Sequence, residues 1–358
     1  MATTLYATGN NLAVKVWAKK LFEEALKQTY FARFMGSDSG SVIQLRNEVS
    51  KGPGDRITVG LRMQLTGSGV QGDNTLEGNE EALVTYTDNL FIDQLRHAVR
   101  SAGKMSEQRV TFDVRDECRL GLQDWWADRL DTSFFNQIAG NTAQSDTRFT
   151  GNQATIAPDA AHKKYVNSNE TTDASISTTS LFSLSVIDKA VEAAVTQTTG
   201  TSPVLRPVKY EGQNMYVCFI HPVQVTDMRT TTSTGQYLDI QKAAMQGGRV
   251  DNNPIFTGAL GVYNNVVLHS SFRIPQAVNA GTSLAIASTR RAVLCGAQAA
   301  VMAYGQDNGD GEMSWVEEVF DYANQLGVSA GLIFGIKKTV FNSADFATIT
   351  IPTYAATH

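Results

Sequence analysis

The chain is poor in the residues that usually announce chemistry. Its three cysteines, Cys118, Cys218 and Cys295, stand far apart, form no C-x-x-C pair and are odd in number. That excludes a disulfide framework and a cysteine-bound zinc, and predicts reduced, packed thiols. The five histidines, His97, His162, His221, His269 and His358, include no pair at metal-ligand spacing and none beside a recognisable nucleophile motif. His221, directly before Pro222, reads as the end of a strand whose ring is satisfied locally. No run approaches roughly eighteen consecutive apolar residues, so no membrane span is expected. The opening "MATTLYATGN" has no basic stretch followed by an apolar core, so no secretory signal is expected.

Charge is scarce too. Asp, Glu, Lys and Arg make up 18% of the 358 residues, the net charge is -5, and the basic residues are dispersed rather than interleaved with aromatics. A protein built chiefly to grip phosphate backbones is therefore disfavoured. Hydrophobic residues at 42% of this length support a sizeable core, in two lobes or one elaborated fold.

Glycine is not scarce, and Gly67, Gly69 and Gly72 in "LTGSGVQGDNTLEGNEEAL" have the G-x-G-x-x-G spacing of a dinucleotide loop. Such a loop needs a helix opening on its last glycine. Here Gly72 leads into Asp73, Glu77, Glu80 and Glu81 with another glycine, no helical apolar spacing and no Lys or Arg. Four carboxylates repel a pyrophosphate. No cofactor is expected, and a dinucleotide-binding enzyme resting on these glycines is only the competing class.

Before that stretch, Ile57, Val59, Leu61, Met63 and Leu65 alternate with Thr58, Gly60, Arg62 and Gln64, a strand of roughly 30 Å with one apolar face. After it, "LVTYTDNLFIDQL" resumes a strand pattern, which predicts a long hairpin with an unusually long tip. A connector of that length is usually functional, and a two-stranded ribbon is marginal alone, so its apolar face must rest on this chain's body or on another molecule.

Upstream, "NLAVKVWAKKLFEEALKQTYFARFMG" predicts an amphipathic helix from about Asn11 to Met35, with Val14, Trp17, Ala18, Leu21 and Ala25 on one face and Gly36 as its stop. The turn-rich segment after it, through Asp38-Ser39-Gly40, reads as loop. Downstream, residues 106–140 place Val110, Val114, Cys118, Leu122, Trp126, Leu130, Phe134 and Ile138 four apart. That row drifts about 40° per step, so an unbroken helix of roughly 50 Å would meet different partners along its length. The alternative is two helices broken near Gly121, where glycine costs about 1 kcal/mol. Trp125 and Trp126 diverge by about 100° and should serve two contacts.

Residues 141–180, rich in Thr, Asn, Ser and Asp, read as a surface insertion. A helix through Ile187, Val191 and Val195 follows. Pro203 and Pro207 mark the crossing into a second lobe with strands in "MYVCFIHP", "IFTGALGVYNNVVLHSS", "RRAVLCGAQAAVMAYG" and "FATITIPTYA". The acidic turn "QDNGDGEMSWVE" lacks the first acidic ligand of a calcium loop, and no metal is expected there.

Taken together, "GPGDRITVGLRMQLTGSGVQGDNTLEGNEEAL", "IDQLRHAVRSAGKMSEQR", "YVCFIHP", "IFTGALGVYNNVVLH" and "DYANQLGVSAGLIFGIKK" resemble a tailed-phage major capsid protein, in particular that of the N4-like short-tailed phages. The resemblance implies the α+β fold shared by tailed-phage and herpesvirus capsids. It divides the chain into an N-terminal arm and helix (1–50), an extended hairpin loop (51–104), a peripheral domain with the spine helix and polar insertion (105–205), an axial domain (206–320) and a C-terminal return (321–358). It implies a shell of pentamers and hexamers around double-stranded DNA, with portal and possible scaffold or decoration proteins as partners and no membrane. An encapsulin-like nanocompartment is the alternative within this class. The candidate intersubunit contacts are Trp17, Gly67, Gly69, Gly72, Asp73, Glu77, Glu80 and Glu81.

Overall fold

A computed structural model of the chain describes Leu21, Glu24, Ala25, Leu65 and residues 28–46, 54–62, 67–111, 113–196, 204–210, 213–230, 260–305 and 313–357. Its strands and helices run in the order β1 (Met35–Gly36), β2 (Ile43–Arg46), β3 (Arg56–Arg62), β4 (Thr85–Phe91), β5 (Asp93–Arg100), α1 (Lys104–Gln108), α2 (Val114–Ile138) and α3 (Leu184–Thr196). Then come β6 (Val208–Tyr210), β7 (Gln213–Ile220), α4 (Pro222–Thr230), β8 (Gly261–Tyr263), β9 (Val266–Ser270), β10 (Thr289–Cys295), β11 (Ala300–Tyr304), β12 (Ser314–Phe320), β13 (Gln325–Lys338), β14 (Val340–Phe341), β15 (Ala344–Asp345) and β16 (Thr348–Tyr354).

Strand β13 organises the first sheet. Gly331 faces Ser314 of β12 on one side and Arg96 of β5 on the other, and farther along Phe334 to Lys338 pair with β11. From β11 the sheet continues through parallel β2 to β1. Strand β2 lies in the segment expected to be loop. Its Ile43 and Gln44 are buried against β11, so tertiary pairing makes a four-residue strand that turn-rich neighbours concealed.

The second sheet has the order β16-β10-β7-β9-β8, with β6 also on β7. Its central strands are apolar on both faces and sort by parity. Tyr216, Cys218 and Ile220 of β7 join Ala292 and Leu294 of β10 against α3 and α4, whereas Val217, Phe219, Val293 and Cys295 face the core around α2. A continuous run such as "YVCFI" is what a strand covered on both sides requires. All three cysteines are free and buried.

Helix α2 joins the two sheets. Cys118, Leu122, Trp126, Leu130, Phe134 and Ile138 of the row spaced by four are buried, and from Ser133 to Gly140 every residue is buried. Trp126 packs edge-on to Phe334 of β13 at 6.1 Å between ring centres. Two turns on, Phe134 stacks on Phe31 at 5.0 Å, and Phe135 meets Phe219 of β7 edge-on at 5.5 Å. Trp125 points elsewhere and stacks on His97 of β5 at 4.3 Å. The helix is shorter than expected, about 37 Å, and its break falls at residues 109–113 instead of Gly121. The Asp113 side chain accepts the Arg115 N–H at 2.9 Å and caps a new start. Gly121 lies on an exposed face where an added Cβ would meet nothing.

The N-terminal helix is described only at its end. Leu21 and Ala25 are fully buried, on the face the spacing predicts, whereas Trp17 lies outside the described residues. The helix stops at Thr29, well before Gly36. There the Asp131 carboxylate of α2 accepts the N–H groups of Tyr30 (3.0 Å) and Phe31 (3.2 Å), which diverts them from helical partners.

Residues 141–180 lie largely at the surface, as expected, but are anchored in the body. Thr150, Gln153, His162, Glu170, Asp173 and Ser180 are buried, and Lys163, with Leu181 just beyond the segment, bridges to β16 at Thr350 and Tyr354. The buried polar groups among them find partners within the protein. Asp173 pairs with Arg291 of β10, both almost fully buried, and Arg291 also donates to the carbonyls of Ala139 (2.8 Å) and Gly140 (2.9 Å) at the end of α2. One guanidinium thus ties helix, segment and second sheet together.

Two outcomes are expected from unassembled subunit. Trp126→Ala should cost about 3–5 kcal/mol in a denaturant titration, a large part of a typical domain stability of about 5–15 kcal/mol; an unchanged midpoint would mean that the site is not packed. Asp173→Asn should cost about 3–5 kcal/mol at neutral pH by leaving Arg291 buried without its counter-charge. Burial pushes the Asp173 carboxyl up, but Arg291, Tyr165 and Lys163 outweigh it and hold the group below the usual carboxylate range. A depressed carboxyl contributes stability above its unfolded value and loses it as pH falls through the folded one. Asp159, held at about 2 chiefly by His162 against its own burial, behaves likewise, whereas burial raises Asp131 and Asp345 and their contributions run the other way. The gap between Asp173→Asn and the parent should therefore narrow below about pH 4; a gap constant down to pH ~2 would contradict the ionised pair.

Candidate intersubunit surface

Strands β3 and β4 pair antiparallel from Arg56↔Phe91 to Arg62↔Thr85, a ribbon of about 23 Å. Its apolar face rests on its own chain: Ile57 and Leu90 are buried with Val301 and Ala303 of β11, and Leu61 reaches the main core. The base is fixed by Lys337, which pairs with Asp88, and by the Val340 N–H, which donates to the same carboxylate at 3.1 Å. Past Phe91 the chain leaves the ribbon, and β5 joins the first sheet beside β13.

Beyond Arg62 and Thr85 this support ends. Residues 67–84 form neither helix nor strand, and every residue from Gln71 to Thr85 is exposed. Gly69, Gly72 and Gly78 have φ of 69°, 66° and 89°, the left-handed region that glycine enters without strain. The glycine spacing therefore serves a bending backbone, and no helix follows Gly72 to face a phosphate. The Gly67 N–H donates to Glu81 Oε2 at 2.7 Å and the Gly78 N–H to Glu80 Oε2 at 2.8 Å, so two of the four carboxylates fold the tip onto itself. The Asp73 and Glu77 carboxylates have no partner among the described residues. Seven of the eight residues expected at an intersubunit contact thus share one exposed loop.

The tip also leaves Leu65, Leu76, Leu83 and Val84 exposed, at 46–61% of their surface. A second apolar exposure lies on edge strand β12 and its turn, at Val316, Val319 and Tyr322, and a third at Phe272 and Leu284. Sequence reasoning missed these, although "WVEEVFDY" carries its apolar residues on both faces of an edge strand. Exposed apolar patches and unprotected edges mark surfaces made to be covered. Among the described residues there is no cluster able to hold a metal ion, and no helix is long and apolar enough to cross a membrane. The acidic turn at 306–312 lies outside the described residues.

A two-sheet body hung on one helix, with a projecting ribbon whose tip its own chain does not cover, defines a shell-building structural subunit with the mixed α/β fold of tailed-phage capsids. The chain belongs to the phage capsid protein family, whose model matches residues 5–357. It is 27% identical over 381 residues to the major capsid protein of Pseudomonas phage KPP25, covering 97% of this chain and 96% of that one. Its structure matches the capsid of Ralstonia phage GP4 with a TM-score of 0.79 and 38% identity over 99% of both chains. The fold is shared with the capsid of cyanophage Pam1, at a TM-score of 0.72, 19% identity and 93% and 94% coverage. This is a shell-forming phage capsid protein, a structural molecule and not an enzyme.

Proposed function

We propose that the protein closes an icosahedral shell of pentamers and hexamers around a phage's double-stranded DNA genome, and that the arm secures each subunit by lying across its neighbour. The observation that carries the arm's role is the change in its environment at Arg62: the ribbon is packed and ion-paired before that point, and exposed with apolar side chains after it. On this reading, residues 1–50 form the N-terminal arm and 51–104 the extended loop. Residues 105–205 form the peripheral domain, 206–320 the axial domain around the ring centres and 321–358 the return. Mild net acidity suits a wall that must not immobilise packaged DNA. A portal, and a scaffold or decoration protein, are the further partners; placement among N4-like phages rests on the sequence segments alone.

Deleting Gly67 to Glu81 and joining the strands by Asn-Gly tests the arm, because a two-residue turn keeps the ribbon and removes its tip. The subunit should keep its circular dichroism and melting temperature, while closed particles in negative-stain micrographs should disappear or fail at lower temperature than the parent's. Normal shells of parental heat resistance would refute the role.

A further inference from the structure

The molecule carries a receptor for the tip as well as the tip. A cavity of about 240 Å³ opens between β3 and the body, and Arg46, Arg62 and Arg206 border it with no Asp or Glu in its lining. Arg62 and Arg206 are exposed and make no ion pair among the described residues. The remaining wall includes Leu61, Phe341 and Phe346, and the Arg206 guanidinium lies over the Phe346 ring at 5.8 Å. Two exposed guanidinium groups, Arg62 and Arg206, at one hollow without a carboxylate in its lining favour an anion there.

The tip supplies such an anion. In Asp73-Asn74-Thr75-Leu76-Glu77 two unpartnered carboxylates flank a leucine that is 61% exposed. The chain's own tip does not fill its own cavity, since residues 71–85 are all exposed. We propose that Asp73 and Glu77 of one subunit dock on Arg62 and Arg206 of the next. This rests on the intersubunit role proposed for the arm and names its receiving surface. Since every subunit carries both tip and cavity, the contact repeats head to tail, the arrangement that makes a ring where its rotation closes.

Charge exchange tests it. The tip variant Asp73→Arg/Glu77→Arg and the pocket variant Arg62→Glu/Arg206→Glu, each alone, should lower particle yield about tenfold or more, because like charges meet where opposite ones did. Combining all four substitutions in one chain should restore assembly, because every reversed tip then meets a reversed pocket in rings of five and of six alike. Since residues 71–85 are exposed on their own subunit, such rescue places the contact between subunits. Should the combined variant fail to assemble although it folds by circular dichroism, or should the pocket variant assemble normally, the assignment falls. A pocket that instead takes nucleic-acid phosphate gives that same failure, with shells forming and retaining less DNA. If a reversed variant does not fold, Arg62→Gln/Arg206→Gln replaces it: parental yield should fall as salt rises, and the neutral variant's should be lower and nearly flat. An unchanged salt slope overturns the proposal. The tip deletion separates the two ideas, since shells lost on deletion but indifferent to charge exchange would leave the arm's role standing and remove only this pocket.

Discussion

The fold depends on a single stripe of apolar side chains that changes direction as it runs. On α2 the residues from Cys118 to Ile138 repeat every fourth position, and the drift of about 40° per step turns the stripe from one side of the helix towards another. Midway along, the stripe meets β13 through Trp126 and Phe334, and near its end it meets β7 through Phe135 and Phe219. Two sheets with no strand in common are thereby fixed at one relative orientation by one rigid rod. For a subunit that must match copies of itself on several sides, this rigidity decides function, because a rotation between the sheets would displace every contact surface at once.

The end of the rod is locked electrostatically. Arg291 holds two terminal carbonyls of α2 and the Asp173 carboxylate in a nearly dry site. Burying such a pair adds little net stability over an apolar substitute of the same shape, since desolvation offsets most of the attraction. What it contributes is direction: the fork of a guanidinium fits those acceptors in one arrangement only. Nearby, Lys338 and Asp345 form a second buried pair at 2.6 Å, and the His162 ring lies 2.8 Å from the Asp159 carboxylate, so this region is fixed by directional polar contacts where an oily filling would let it slide.

Much of this was legible in the sequence, and the failures share one cause. Strand β3 announced itself by alternation, the second sheet by its β-branched runs, and α2 by its spacing, because each signal is local. In the segment 141–180 polarity signals solvation correctly for most residues but not for Asp173 and Glu170, which are buried by partners that no local pattern reveals; Arg291 is 118 residues from Asp173. Strand β2 and the early helix end at Thr29 were hidden likewise, by β11 and by Asp131. At the candidate surface the tip was visible as an acidic, glycine-rich connector. The pocket proposed to receive it was not, because Arg62 and Arg206 converge only in three dimensions.

The weak structure of the tip is itself consistent with assembly. A loop held by its own Glu80 and Glu81 and by three left-handed glycines gains little by folding alone, which on the proposed role leaves most of its favourable contacts for a neighbour. Each such contact is modest, because exposed ion pairs are worth about 0–1 kcal/mol and ordering a loop costs entropy. On the proposed docking a closed ring multiplies it: every subunit would give one tip and receive one, and the last contact would form without further loss of translational freedom. Weak single contacts would let a wrongly placed subunit leave, while their sum would hold the finished shell. On that reading the rigid body and the soft arm are complementary demands of one task, with α2 setting where neighbours meet and the tip how firmly they stay.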